Sequence, residues 1–160
     1  MGRKDGNGEF IGSESERYVG EFKDDHREGK GIFYYPDGDK YEGDFKNDNF
    51  DGKGKYTYVN GNVYEGDFIN DTFHGKGTFY YNDGDKYVGD WKKDVKDGKG
   101  IYYYNSGNRY EGEFKNDHGD GQGVFYYNNG VRHEGKFHNG KPIDAHTKYH
   151  VDGSQEKVYY

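Results

Sequence analysis

The groups in this chain that could bind a metal or move a proton are carboxylates and histidines. Asp25, Asp48, Asp71, Asp94 and Asp117 recur at one interval, accompanied by Glu28, Asp51, Asp97 and Asp120. Calcium takes six to eight oxygens at about 2.3–2.6 Å. Each stretch offers only a pair or so of carboxylates, so a site would need several stretches to converge. His133, His138, His146 and His150 cluster late in the chain. A metal needs converging ligands, and His146 and His150 would converge only on a helix; a cap or solvent-facing role is the better reading. Cysteine is absent, which removes thiolate zinc sites and disulfides. No nucleophile, base and acid stand together, so neither catalytic residues nor a cofactor nor a metal is expected. What remains is recognition by rings: 19 Tyr, 11 Phe and a single tryptophan, Trp91, the side chains that most often anchor protein contacts.

The composition says how such rings are held. Apolar residues make up 29% of the 160 residues and mean hydropathy is -1.40. Alone, these values would indicate disorder. Aromatic residues at 19% argue the reverse, because each ring can bury about 150–250 Å². The expected structure is ordered, with little aliphatic core. The net charge of -7 and the lack of any Lys/Arg run argue against a phosphate-coating nucleic-acid binder. No stretch is long and apolar enough for a membrane helix, and MGRKDGNGEF contains no secretory h-region. The expectation is a soluble cytoplasmic protein.

The elements that position the rings are repeats. Tyr18–Lys40, Tyr41–Val63, Tyr64–Lys86, Tyr87–Arg109 and Tyr110–Arg132 are five copies at a strict spacing of 23 residues, the signature of a repeat array. Within Tyr64–Lys86, YEGDF and GKGTFYY alternate ring or glycine with polar residues. Period two argues for strands, and the glycine load would cost a helix about 1 kcal/mol per residue. Pro36-Asp37-Gly38 and Asn82-Asp83-Gly84 suit a three-residue hairpin loop with glycine in the left-handed position. The segment after each YEGDF reads as a longer polar loop. Loops of successive repeats then lie about 10 Å apart, too far to share one ion, so the acidic series reads as solvated loops.

Register can be tested in the sequence. If Phe45 faces Gly52 within a repeat, then Asp44 faces Lys53, Gly43 faces Gly54, Glu42 faces Lys55 and Tyr41 faces Tyr56. If the short turn sets the next pairing, Lys53 also faces Asp67 and Lys55 also faces Glu65. Opposite charges should then meet, at roughly 0.2–1 kcal/mol per facing pair. On this scheme Lys30 falls between Glu21 and Asp44, Lys53 between Asp44 and Asp67, Lys76 between Asp67 and Asp90, and Lys99 between Asp90 and Glu113. Where a turn Tyr becomes Thr57, its facing Lys becomes Val63.

The other face follows. Gly20, Gly31, Gly43, Gly54, Gly66, Gly77, Gly89, Gly100, Gly112 and Gly123 form a side-chain-free lane. Tyr41, Tyr64, Tyr87 and Tyr110 flank it on one side, and Phe45, Phe68, Trp91 and Phe114 on the other. Rings leaning over bare glycine backbone protect it, as in aromatic rescue of strand glycines. Ten such strands make a ribbon about 50 Å across. Residues 1–17 read as an N-terminal half-repeat cap, 18–132 as the five hairpin repeats, and 133–160 as a degenerate C-terminal cap. That cap loses the glycine pattern at Asp144 and His146. The phase stops abruptly after Gln155–Tyr160, as in a piece of a longer protein.

The elements Y-x-G-x-F, G-x-G-x-Y/F and D/N-G at 23-residue spacing resemble the membrane occupation and recognition nexus (MORN) repeat family, over residues 6 to about 140. The resemblance implies an all-β, elongated single-layer antiparallel meander. It also implies an assembly platform, since relatives occur in radial spoke heads, cortical cytoskeletal scaffolds and junctional membrane proteins, and beside lipid kinases. Asp stands at the eighth position of all five repeats, where family loops often carry basic residues, and this acidity argues against anionic lipid.

The function expected is therefore a non-catalytic protein-interaction scaffold in a cytoskeletal assembly, axonemal or cortical. A partner helix or extended peptide would lie along the aromatic/glycine groove at Tyr41, Phe45, Tyr64, Phe68, Tyr87, Trp91, Tyr110 and Phe114. The alternatives are a peripheral phosphoinositide-binding module with weak membrane association and an accessory domain of a larger enzyme. A homodimer is a further arrangement kept open.

Overall fold

The computed structural model describes residues 2–160. They form two compact bodies, residues 2–82 and 83–160. The first holds β1 (Gly6–Ile11), β2 (Arg17–Lys23), β3 (His26–Tyr34), β4 (Lys40–Lys46), β5 (Asn49–Thr57), β6 (Val63–Ile69) and β7 (Thr72–Tyr80). The second holds β8 (Lys86–Lys92), β9 (Val95–Tyr103), β10 (Arg109–Lys115), β11 (His118–Tyr126), β12 (Arg132–His138), β13 (Lys141–Tyr149) and β14 (Gln155–Tyr159). In each body the strands lie in chain order, as an antiparallel meander one layer thick, and no helix occurs among the described residues. The all-β hairpin architecture expected from the sequence is the one observed.

Pairing between repeats follows the register read from the sequence. Gly52 faces Phe68, Lys53 faces Asp67, Gly54 faces Gly66, Lys55 faces Glu65, Tyr56 faces Tyr64 and Thr57 faces Val63. The short turn is also as expected: Gly38 N–H donates to the Tyr35 carbonyl at 3.1 Å, with Gly38 at φ +102°, a conformation open to glycine.

Pairing within a repeat differs from the expectation in its second half. Tyr41 faces Tyr56, Glu42 faces Lys55 and Gly43 faces Gly54, but Phe45 then faces Phe50 rather than Gly52. Asp51, Gly52 and Lys53 bulge opposite Asp44 alone. The long polar loop is in fact a two-residue turn, with Asn47 and Asp48 at φ +46° and +70°. These values are those of a type I′ hairpin, whose twist matches the flanking strands. The bulge absorbs the residues that the loop was expected to contain.

The bulge accounts for two invariant features. Gly29, Gly52, Gly75, Gly98 and Gly121 all have positive φ, so this glycine serves the backbone rather than the ring row. The acid opposite it caps the freed amide. Asp44 Oδ2 accepts Lys53 N–H at 2.8 Å, Asp67 accepts Lys76 N–H at 3.0 Å, Asp90 accepts Lys99 N–H at 2.8 Å and Glu113 accepts Gln122 N–H at 2.6 Å. The same carboxylates meet the ammonium from the preceding repeat, Lys30 on Asp44 and Lys53 on Asp67. Partial burial pushes the Asp44 and Asp67 carboxyls up, but these hydrogen bonds and ion pairs outweigh it and hold both below the ordinary Asp range. The exposed ion pairs themselves add little; the amide cap is the larger reason for an acid here.

The C-terminal cap keeps the same device with different residues. Asp144 adopts φ +62° where the repeats have glycine, since Asp tolerates the left-handed region better than most residues. His146 stands where the lane glycine would be, and its ring covers Gly135 in place of a tyrosine: a Cβ on Gly135 would lie 2.6 Å from His146 Cγ. His146 is fully buried and its Nε2 hydrogen-bonds the Lys136 carbonyl at 2.7 Å.

Candidate functional site

The candidate site is the ring-bearing face of the sheet. Its floor starts from the first tyrosine of each repeat. Tyr18, Tyr41, Tyr64 and Tyr87 have no exposed surface, and Tyr110 retains 4%. Each lies across the glycine lane and donates its hydroxyl to a carbonyl at the bulge: Tyr18 to Glu21 at 2.7 Å, Tyr41 to Asp44 at 2.6 Å, Tyr64 to Asp67 at 2.7 Å, Tyr87 to Asp90 at 2.8 Å and Tyr110 to Glu113 at 3.0 Å. The second ring of the second, third and fifth repeats stands edge-on between two tyrosines. Phe45 is 4.9 Å from Tyr18 and 5.1 Å from Tyr41, and Phe114 is 4.9 Å from Tyr87 and 5.2 Å from Tyr110. These are the favoured T-shaped contacts. Trp91 meets Tyr87 in the same way, at 5.2 Å.

All eight residues that the sequence marks for partner binding lie in this floor. Tyr41, Phe45, Tyr64, Phe68, Tyr87, Trp91, Tyr110 and Phe114 are between 0 and 6% exposed. The rings that reach the surface were not singled out from the sequence. Tyr35, Tyr58 and Tyr81 in the first body are half-buried, and Tyr104 and Tyr127 in the second are 39% exposed. Each leans on a neighbouring floor ring, as Tyr35 on Phe33 at 4.7 Å and Tyr104 on Tyr102 at 4.7 Å. A tyrosine at this place in all five repeats was the signal available.

The turns beside these tyrosines carry a pairing that alternates. Tyr56 donates to Asp39 at 2.8 Å and Tyr102 to Asp85 at 2.8 Å. Where the ring is Phe79 or Phe125, the turn residue is Asn62 or Asn108. Either type accepts a backbone N–H from the next turn, Val59 to Asp39, Asn82 to Asn62, Asn105 to Asp85 and Asn128 to Asn108, each at 2.8 Å. A phenol donor thus goes with a carboxylate, and a phenyl ring with a neutral amide.

The acidic series has a structural use at the opposite turns. Asp48 accepts Arg27 N–H at 2.8 Å, Asp71 accepts Phe50 N–H at 2.8 Å and Asp117 accepts Lys96 N–H at 2.9 Å. These bonds tie each of the three turns to the repeat before it. No cluster of three metal-ligating side chains occurs among the described residues.

One place on the ring face varies. Its occupants in successive repeats are Arg27, Phe50, Phe73, Lys96 and Gly119. Phe50 stacks flat on Tyr41 at 3.7 Å, and Phe73 on Tyr64 at 3.8 Å. Arg27 lies 4.9 Å from the Phe33 ring and 5.6 Å from Phe45. Lys96 Nζ lies 5.5 Å from Tyr87, 5.7 Å from Trp91 and 5.7 Å from Tyr102, with Asp117 at 3.8 Å. Burial lowers the Lys96 pKa against the pull of Asp117.

Ring burial sets the alkaline limit of the fold. Burial raises the Tyr18 and Tyr110 phenols to about 12, and it raises Tyr41 and Tyr56 as well, Tyr56 with help from Asp39. A phenol whose folded pKa exceeds its unfolded value adds stability that is complete below pH 10 and lost as pH rises through the folded value. Ultraviolet titration should therefore show phenols such as Tyr18 and Tyr110 ionising near pH 12, together with loss of the near-ultraviolet circular dichroism. A single transition at pH 10 with the fold retained would contradict the buried ring floor.

The MORN repeat family model matches residues 18–40, 41–63, 64–86, 87–109 and 110–132, the five repeats without a gap. No curated protein matches the chain in sequence. Among solved structures the fold is similar to the TCP domain of Drosophila melanogaster SAS-4 (dCPAP), solved in complex with a proline-rich motif of Ana2 (dSTIL): TM-score 0.57, 12% identity, 96% of this chain and 90% of that one. The TCP10 domain of Danio rerio CPAP is similar too, with TM-score 0.59 and 14% identity over 96% of this chain and 73% of that one. At such identities the likeness is one of fold.

Proposed function

The chain belongs to the MORN repeat family, and we propose that it is a non-catalytic protein-interaction scaffold that takes an extended peptide or a helix on its ring-bearing face. The observation that carries this reading is the series of surface tyrosines, Tyr35, Tyr58 and Tyr81 in one body and Tyr104 and Tyr127 in the other, on a sheet face that has no second layer. Tyrosine supplies large contact area at low entropic cost and is enriched at interface centres. The buried series Tyr41, Phe45, Tyr64, Phe68, Tyr87, Trp91, Tyr110 and Phe114 is the floor that holds these contact rings in place. An extended, proline-bearing segment suits such a face, because polyproline II ligands dock on aromatic rows. The SAS-4 TCP domain, similar in fold, was solved with a proline-rich motif, which supports an extended ligand over a helix. We assign the assembly to the cytoskeleton, axonemal or cortical, by family analogy; imaging of the tagged chain against tubulin tests that part.

A photo-reactive phenylalanine at Tyr58 tests the face itself, with Lys55 on the opposite face as control. Cross-links to protein at Tyr58 and none at Lys55 are expected. Cross-links at Lys55 alone would overturn the reading. Salt-sensitive binding to anionic vesicles, lost when Tyr58 is changed to Ala, would replace it with membrane recognition.

A further inference from the structure

The variable place on the ring face is empty in the fifth repeat. Gly119 is buried at the base of a cavity of about 140 Å³, walled by Tyr102, Tyr110, Phe114, Phe125 and Phe137, with Asp117 at its side. In the other four repeats the chain fills this place with its own side chain. Two of those fillers are flat rings, stacked on the repeat's first tyrosine at 3.7 and 3.8 Å. The other two are cations held among rings beside a carboxylate, Arg27 with Asp48 at 3.2 Å and Lys96 with Asp117 at 3.8 Å.

We propose that the Gly119 cavity is a socket for one arginine side chain of the partner peptide. The proposal rests on the interaction reading above and names the chemistry of the ligand. A guanidinium is planar, as the Phe50 and Phe73 rings are, and cationic, as Arg27 and Lys96 are; it stacks on aromatic faces and pairs with carboxylates. The wall is suited to a cation. Asp117 pairs with Lys96 Nζ at 3.8 Å but keeps 45% of its side chain exposed for a second cation, no Lys or Arg is among the residues that line the cavity, and the chain carries a net charge of -7. The opening also differs from the other repeats. Gly140 lines the cavity where the earlier repeats have the Asp that pairs with Arg27 and Lys96, so this side is left clear for an entering chain and Asp117, from the fifth repeat's own turn, is the acid that lines it.

The test titrates the isotope-labelled full chain with the acetylated, amidated peptides Gly-Ser-Arg-Ser-Gly, Gly-Ser-Phe-Ser-Gly and Gly-Ser-Ala-Ser-Gly, followed by NMR. The Arg peptide should shift His118, Gly119, Gly140 and the Phe125 ring, with an affinity at least fivefold above the Phe peptide and no response to the Ala peptide. Gly119→Phe, which restores the side chain of the second and third repeats, should abolish the Arg response. Its Cβ would lie 2.9 Å from Tyr110 Cζ, so that ring must give way, and the melting curve checks the fold. Asp117→Asn is the second variant. It removes the charge while an amide oxygen still accepts Lys96 N–H, and should weaken the Arg peptide severalfold; the melt should fall somewhat, because Lys96 Nζ loses its ion pair. Equal binding of the Phe and Arg peptides, or an Arg response indifferent to both substitutions, overturns the socket. If the Arg peptide leaves Gly119 unmoved while Tyr58 still cross-links a protein partner, the socket falls and the interaction face stands.

Discussion

Gly66→Ala should unfold the first body at room temperature or leave it several kcal/mol weaker, although it adds a single methyl group to a strand. The new Cβ would lie 2.5 Å from the Lys76 carbonyl oxygen and against the Cα of Gly77. Both are backbone atoms of the facing strand, so no rotamer change relieves the contact. Ordinary overpacking costs about 1–3 kcal/mol, occasionally more, and a clash with backbone belongs at or above the top of that range. The Tyr64 hydroxyl, 2.9 Å from the same Cβ, would be displaced as well. Gly8→Ala is the control. Its nearest neighbour is Phe22 Cε2 at 3.4 Å, ordinary van der Waals contact, and its melting temperature should change by no more than a few degrees. If both variants melt alike, the lane glycines are there for strand flexibility and not for close approach.

The same two positions show how much of this architecture is legible in the residues. The lane glycines, the facing tyrosines and the alternation of charge fix which strands pair and which face carries rings, because period two leaves one register in which Lys53 meets Asp67 and Thr57 meets Val63. The bulge was not legible by the same logic. Pairing Asp44 with Lys53 satisfies a charge rule, and a side-chain rule cannot see that the partner of Asp44 is the Lys53 amide. The clue was the glycine at the twelfth position of the repeat, five times over, at a place where no ring needs room. The acidic turn residues misled for a related reason: Asp48 and Asp117 look like solvated loop charges until the N–H groups of Arg27 and Lys96 are seen to point at them.

The site was half legible. Counting rings found the floor, since invariant Tyr and Phe mark what is buried. The surface was marked by the remaining tyrosine of each repeat and by the place that varies. Arg27, Phe50, Phe73, Lys96 and Gly119 share no property in sequence. They make sense only once Tyr18, Tyr41, Tyr64, Tyr87 and Tyr110 are known to need a cover, which four of the five supply. The Asp39–Tyr56 and Asn62–Phe79 pairs were likewise there to be read. They sit on different repeats, so only the lateral contact of successive turns connects them.

Tyr41→Ala and Tyr41→Phe separate what the floor ring does from what its hydroxyl does. The full truncation removes a ring with no exposed surface, stacked on Phe50 at 3.7 Å and edge-on to Phe45 and Phe68 at 5.1 and 5.0 Å. Losing a buried ring costs about 3–5 kcal/mol. In a sheet one layer thick no side chain from a facing layer can move in, so the upper end is expected. The Phe variant keeps every ring contact and deletes the bond to the Asp44 carbonyl, for about 1 kcal/mol. With roughly 4–8 °C per kcal/mol for a body of this size, calorimetry should separate the two by more than 10 °C. Amide exchange adds a second readout. Gly54, whose Cβ would lie 2.5 Å from Tyr41 Cε2, should lose protection in the Ala variant and keep it in the Phe variant. Equal melting losses in the two would mean that the hydroxyl bond at the bulge, and not the roof over the glycine backbone, holds the repeats together.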